Sequence, residues 1–185
     1  MKKILLHICC APCVIFPLEV LRREGFQVKG LFFNPNIHPR QEYERRLDAL
    51  RIYSKDARLE FSSGEYDLKM FLGLVDGNKS APTRCDACWR LRLKITAETA
   101  RQENCQYFTS TLLVSPYQDT SVLEKIAAEE ARNLNLKFFR YDFKSGFSQA
   151  HRKAKETGLY CQKYCGCIYS LQERSKRKDT RSVRS

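Results

Sequence analysis

No run of eighteen consecutive apolar residues occurs in this 185-residue chain, so no transmembrane helix is expected. A secretory leader is not expected either. The apolar run Ile4-Leu5-Leu6 stops at His7, too short for a signal-peptide core, and no small-residue cleavage site follows it. A buried first strand accounts for that run, and the expected location is the cytoplasm. Internal repeats are absent, and low complexity is confined to the basic C-terminal end. Negative charge is scarce: 33 Lys and Arg against 21 Asp and Glu leave a formal charge of +12. Part of the excess sits in the tail Arg174–Ser185, but the rest of the chain is basic too. That breadth suits a polyanion such as nucleic acid better than a small anionic substrate. The length fits one domain with one core. The expected division is an α/β metallocofactor-binding catalytic domain over 1–173 and a basic tail over 174–185.

Cysteine, by contrast, is abundant, with nine in the chain. An odd number argues against a complete disulfide framework, and in a reducing cytoplasm disulfides rarely persist. A disulfide-free protein whose clustered thiols serve metal or redox chemistry is the better reading.

Hydrophobic periodicity places these thiols. Lys3–Ile8 reads as a buried strand, followed by Cys9-Cys10-Ala11-Pro12-Cys13 and a helix over Val14–Arg23 closed by Gly25. Gln27–Phe33 reads as a second strand ending at the turn Asn34-Pro35-Asn36, before an amphipathic helix over Pro39–Lys55. A short strand is expected at Arg58–Phe61, a helix at Asp67–Val75, a loop over Asp76–Thr83 and a helix from Cys85 towards Glu103. Tyr107–Leu113 reads as a strand broken by Ser115-Pro116-Tyr117. Ser121–Asn133 reads as a helix and Lys137–Tyr141 as a strand. A loop over Asp142–Gly146, helical residues up to Gly158 and a short final helix complete the chain. Strands alternating with helices imply βαβ units, hence an α/β single domain with a mostly parallel sheet flanked by helices. In such sheets sites form beyond the C-terminal strand ends. Three motif loops, at Cys9–Cys13, Asn34–Asn36 and Ser115–Tyr117, should therefore share one rim.

Cys9, Cys10 and Cys13 fall where a strand gives way to a helix, whose N-terminal amides favour the metal-binding thiolate. Cys85-Asp86-Ala87-Cys88 is a C-x-x-C entering a helix, a spacing that lets two thiolates reach one metal or cluster. In Cys165-Gly166-Cys167 the glycine lets the backbone approach closely and brings both sulfurs near one centre. Cys105 reads as a structural or surface thiol, and Cys161 ranks below the other seven as a ligand. Seven thiols exceed the four that a single zinc or 4Fe–4S cluster needs. Two centres, one cluster beside a catalytic dithiol, or inert extra thiols would each explain the surplus. Paired zinc sites usually repeat C-x-x-C units and none repeats here, which favours iron–sulfur.

Taken together, the motifs resemble the QueH-type epoxyqueuosine reductases. The matching stretches are Leu5–Cys13, Asn34–Pro39, Arg84–Cys88, Phe108–Gln118 and Tyr164–Ser170, in order along nearly the whole chain. The resemblance implies a fold similar to the adenine nucleotide alpha hydrolases. It implies a 4Fe–4S cluster with an additional iron ion, bound by cysteines, with an aspartate as a further candidate ligand. Cys9, Cys10, Cys13, Cys85, Cys88, Cys165 and Cys167 carry the family pattern. The implied reaction is the last step of queuosine synthesis, reduction of epoxyqueuosine at the wobble position of tRNA, with electrons from an unidentified donor.

Loss of the epoxide oxygen takes two electrons and two protons and leaves an alkene and water, which suits a Lewis-acidic iron beside an electron-delivering cluster. Iron held by part of Cys9, Cys10, Cys165 and Cys167 is the expected oxygen-binding centre. Asp86 and Tyr117 are the candidate catalytic residues, Asp86 as ligand or proton carrier and Tyr117 as proton source or stacking platform. Asn34, His38, Arg84 and Tyr164, next to the motifs, are the candidate substrate-binding residues. His7 reads as a satisfied core histidine. Arg40, Arg45, Arg46, Arg84, Arg90 and Arg92 form a group that could hold an anticodon arm by its phosphates, with the wobble nucleotide splayed out. Two rivals have different chemistry. A tRNA sulfur-transfer enzyme would carry a glycine-rich pyrophosphate loop after the first strand, where this chain has Cys-Cys-Ala-Pro-Cys. A zinc-stabilised, non-catalytic RNA-binding module would be colourless.

Overall fold

The computed structural model describes residues 2–182. Its centre is a sheet of five parallel strands: β1 (Lys2–His7), β2 (Phe26–Phe32), β3 (Phe61–Ser63), β4 (Tyr107–Ser110) and β5 (Lys137–Phe138). Their spatial order is β3-β2-β1-β4-β5, so β1 pairs with both β2 and β4. The middle of a strand in that position is covered on both faces and must be apolar. Ile4, Leu5 and Leu6 are accordingly fully buried, which explains the N-terminal apolar run. This is the parallel α/β class that the alternation of elements implies. Among the described residues no helix is long and apolar enough to cross a membrane.

The connections run outward from β1 in opposite directions. Helix α1 (Ala11–Arg23) leads to β2, and α2 (Arg40–Asp56) leads on to β3. Helices α3 (Leu68–Leu74) and α4 (Thr83–Gln102) carry the chain back to β4, and α5 (Thr120–Asn133) joins β4 to β5. Right-handed crossovers in opposite directions put helices on both faces of the sheet. In keeping with this, α1 packs on α2 and on α6 (Phe147–Glu156), while α4 packs on α5. The order reverses between β1 and β4, and their C-terminal ends flank the crevice where such sheets bind ligands.

Several boundaries differ from the sequence reading. Helix α1 begins at Ala11, so Cys13 lies within its first turn; Pro12 near the helix start needs no donor there. Strand β4 stops at Ser110 rather than Leu113. The Ser110 hydroxyl accepts from the Leu112 amide and turns the chain into a 3₁₀ turn over Thr111–Val114. Strand β3 lies at Phe61–Ser63, later than expected, and β5 is two residues long: the Phe139 N–H still donates to the Phe108 carbonyl, but the Phe139 carbonyl accepts from the Thr109 hydroxyl instead of a strand amide. The expected loop at Asp142–Gly146 holds a second 3₁₀ turn, Phe143–Gly146. The last helix, α7 (Ile168–Ser182), is a full 15 residues and runs through the expected start of the tail at 174. Residues 183–185 of that tail lie outside the described residues.

Candidate metal centre

The loop after β1 is the focus of the rim. Cys9, Cys10 and Cys13 bring their sulfurs within 4.8 Å of one another, with Cys10 and Cys13 buried and Cys9 partly so. No other three candidate ligand groups meet as closely among the described residues. Cys10 is extended at the N-cap of α1, and the helix carries Cys13 back over it one turn later. Cys9 is fixed from across the crevice. Its backbone N–H donates to Thr111 Oγ1 at 3.0 Å, and the Thr111 hydroxyl lies 3.2 Å from Cys9 Sγ. The early end of β4 is what places Thr111 there. Gln162 closes the triad from the C-terminal segment, its Nε2 donating to Cys10 Sγ at 2.8 Å.

Three thiols this close share their protons unequally. Hydrogen bonds from Cys10 and Cys13 hold Cys9 well below the usual thiol range, helped by the charge of Arg92. Burial pushes Cys10 up, and the hydrogen bonds that Cys13 gives to its neighbours push it up as well. The triad therefore sets one thiol of lowered pKa against two of raised pKa, a donor set that would release protons on binding a metal.

The other four candidate sulfurs form a second group. Cys85 and Cys88 stand in the first turns of α4, and Cys88 shares an apolar cluster with Cys167, Phe71 and Val75. Burial raises Cys85, and raises Cys88 to about 11; the charge of Cys165 adds to both shifts. Cys165 itself is drawn down to about 5, chiefly by a hydrogen bond from Cys167, which that bond raises in turn. Gly166 between them has φ +106°, and a Cβ there would meet Ile37 Cγ1 at 2.8 Å. Only glycine lets this turn lie against the Asn34–Pro39 loop, where the His38 N–H donates to the Gly166 carbonyl at 2.8 Å.

Two buried arginines join the groups. Arg46 donates to the carbonyls of Tyr164 and Cys165 at 2.9 and 3.2 Å, while its charge also acts on Cys9 and Cys10. Arg92 acts on both Cys9 and Cys88. A third, Arg84, acts on Cys85 and Cys167 and pairs with Glu173. These three are 2–4% exposed, which removes them from the set of RNA phosphate contacts. A phosphate in solvent cannot reach a guanidinium enclosed by protein. Arg40, Arg45 and Arg90 stay on the surface. Clustered cysteine sulfurs beside buried, permanently positive arginines are a donor set that fits an anionic thiolate-bound metal group.

The remaining candidates are dispersed around this centre. Asn34 is buried, with Nδ2 donating to the Ile8 carbonyl at 2.9 Å and Oδ1 accepting from Arg92 at 2.6 Å. His38 and Tyr164 adjoin each other: the Tyr164 hydroxyl donates to the His38 carbonyl, and burial pushes that phenol up to about 12. Asp86 pairs with Arg90 at 2.9 Å on the half-exposed side of α4. Tyr117 is 88% exposed on the rim loop after β4. His7 is fully buried with both ring nitrogens bonded, Nδ1 to Ser110 Oγ and Nε2 to the Phe33 carbonyl, as a satisfied core histidine should be. Cys105 is buried away from the triad, and Cys161 packs beside Ile15, Ala150 and Ala154. The sequence reading missed Thr111 and Gln162. Thr111 could have been found from its place at the switch point once β4 was ended at Ser110. Gln162 carries no sequence signal beyond its nearness to Cys161 and Cys165.

The protein-family model described as epoxyqueuosine reductase QueH matches residues 4–173. Curated proteins of that description are similar over most of the chain. The one from Dehalococcoides mccartyi is 34% identical over 173 residues, spanning 93% of this chain and 94% of the relative. The one from Thermotoga maritima is 33% identical over 189 residues, spanning 96% and 94%. Among solved structures, a predicted subunit of tRNA methyltransferase from Methanocaldococcus jannaschii superposes with a TM-score of 0.54 at 11% identity, covering 84% of this chain and 75% of that one. That likeness is one of fold.

Proposed function

The chain belongs to the epoxyqueuosine reductase QueH family, and from that membership we propose that it is the oxidoreductase that reduces epoxyqueuosine to queuosine in tRNA. The observation that carries the site is the meeting of Cys9, Cys10 and Cys13 within 4.8 Å at the C-terminal end of β1. The seven motif cysteines are the proposed ligands of a 4Fe–4S cluster and an additional iron. When bound, that group would relay the donor's two electrons one at a time and supply Lewis acidity at the epoxide.

The chain's own residues do the positioning. Thr111 fixes the direction of Cys9, Gln162 that of Cys10, and Arg46 ties the Cys165 loop to the side of the triad. His38 and Tyr164 are the proposed substrate-side residues, while Asn34 and Arg84, buried and bonded to Arg92 and Glu173, are proposed to shape the site from behind them. Asp86, between Cys85 and Cys88, and Tyr117, exposed on the rim, are the proposed catalytic pair, Asp86 as ligand or proton carrier. Tyr117 would supply a proton or stack on an unpaired base. The tRNA would approach the rim with its wobble nucleotide extruded, and an electron donor would supply the two electrons.

Anaerobic purification followed by iron and sulfide analysis and an assay on epoxyqueuosine-containing tRNA tests this reading. A brown protein that forms queuosine is expected. A colourless zinc protein without activity would contradict it.

A further inference from the structure

We propose that Arg92 is the internal counter-ion of the thiolate-held centre, positioned by Asn34, and that its fixed charge sets the reduction potential of that centre. The inference rests on the reading of the site as an iron–sulfur centre. It starts from an imbalance among the three buried arginines. Arg46 is neutralised by Glu42 at 2.7 Å and Arg84 by Glu173 at 2.9 Å. Arg92 is 4% exposed and has no carboxylate partner among the described residues. Its Nε is buried without a hydrogen-bond acceptor, and Nη2 donates to Asn34 Oδ1 at 2.6 Å.

A guanidinium cannot shed its proton, so a lone buried one is strongly unfavourable unless an anion faces it. The sulfurs that the geometry sets beside it are Cys88, one turn earlier on α4, and Cys9, which follows the Ile8 whose carbonyl anchors Asn34. The neighbouring His7 is already occupied by Ser110 and the Phe33 carbonyl. The missing anion is therefore sulfur-borne and lies between two segments far apart in sequence. Asn34 is committed to this arrangement: Nδ2 is anchored on the Ile8 carbonyl at 2.9 Å, which aims Oδ1 at the guanidinium. Asn34 is thus a positioning residue. A fixed positive charge in a poorly screened interior favours the more negative state of a redox group, so it raises the reduction potential.

The test uses the full chain, purified anaerobically as wild type, Arg92→Gln, Arg92→Lys and Asn34→Ala. Iron and sulfide content and the midpoint potential from a spectroscopic redox titration are the readouts. Arg92→Gln should titrate at a more negative potential or lose iron, Arg92→Lys should recover most of the wild-type behaviour, and Asn34→Ala should fall between. A wild-type potential and full iron in Arg92→Gln would overturn the proposal, as would equal losses in the Gln and Lys variants, which would mark a purely structural role. Melting of Arg92→Met gives a second readout. Without metal it should melt no lower than metal-free wild type, and with metal it should melt lower than loaded wild type; the reverse order contradicts the counter-ion role. A wild-type chain that takes up no iron would instead sink the functional reading beneath it.

Discussion

At the scale of single residues, the cysteines were the most legible part of the site. Thiols at Cys9-Cys10-x-x-Cys13, Cys85-x-x-Cys88 and Cys165-x-Cys167 announce themselves by spacing alone. The arginines were misread because a sequence gives a charge but not its burial. Six were grouped as surface contacts, and Arg46, Arg84 and Arg92 proved to be interior. Burial also governs titration at Tyr53, where it pushes the phenol up from 10 to about 12, reinforced by Glu19. In that range the folded chain keeps a proton that the unfolded chain releases. Stability from this group is thus fully present below pH 10 and falls as pH rises towards about 12, by up to about 1.4 kcal/mol per pH unit. Urea unfolding of wild type and Tyr53→Phe across that window should show a flatter decline in the variant. Parallel declines would assign the loss elsewhere.

At the scale of elements, sequence periodicity found the main strands and helices but misplaced β3 and erred where side chains capture the backbone. Tyr107, Phe108, Thr109 and Thr111 have the β-branched and aromatic character of a strand, yet Ser110 bends the chain away from the sheet after four residues. That bend delivers Thr111 to Cys9, so the error fell on a functional feature. The Cys165–Cys167 turn is the other place where backbone geometry decides the site. Gly166→Ala combines a backbone angle that side chains avoid with a clash against Ile37, and the cost should be about 1–3 kcal/mol. The expected outcome is a lower melting temperature together with lower iron content than the wild type. An unaltered iron content would show that the turn need not hold Cys165 and Cys167 in place.

At the scale of the whole molecule, alternating elements predicted a parallel sheet with three motif loops on one rim, and the strand order places them so. What alternation could not supply was the switch point between β1 and β4, which depends on long-range pairing rather than local pattern. Of the positive charge behind the net +12, Arg46, Arg84 and Arg92 are buried and the exposed remainder lies on the surface. For RNA, the surface share is what counts. Arg45, exposed on α2, is expected to contact phosphate. Arg45→Ala should then weaken binding of modified and unmodified tRNA alike and reduce the salt slope of log K by roughly 0.7 to 1. A slope equal to that of the wild type would remove Arg45 from the RNA surface.

The central claim is that sulfurs from three distant segments grip one iron–sulfur centre. Iron and acid-labile sulfide per chain, measured anaerobically for the wild type and for single Cys9→Ala, Cys88→Ala and Cys167→Ala variants, tests it most directly. The account predicts both elements in the wild type and a loss of iron when any one segment surrenders its thiol. Undiminished iron and sulfide in all three variants, or zinc in their place, would contradict it.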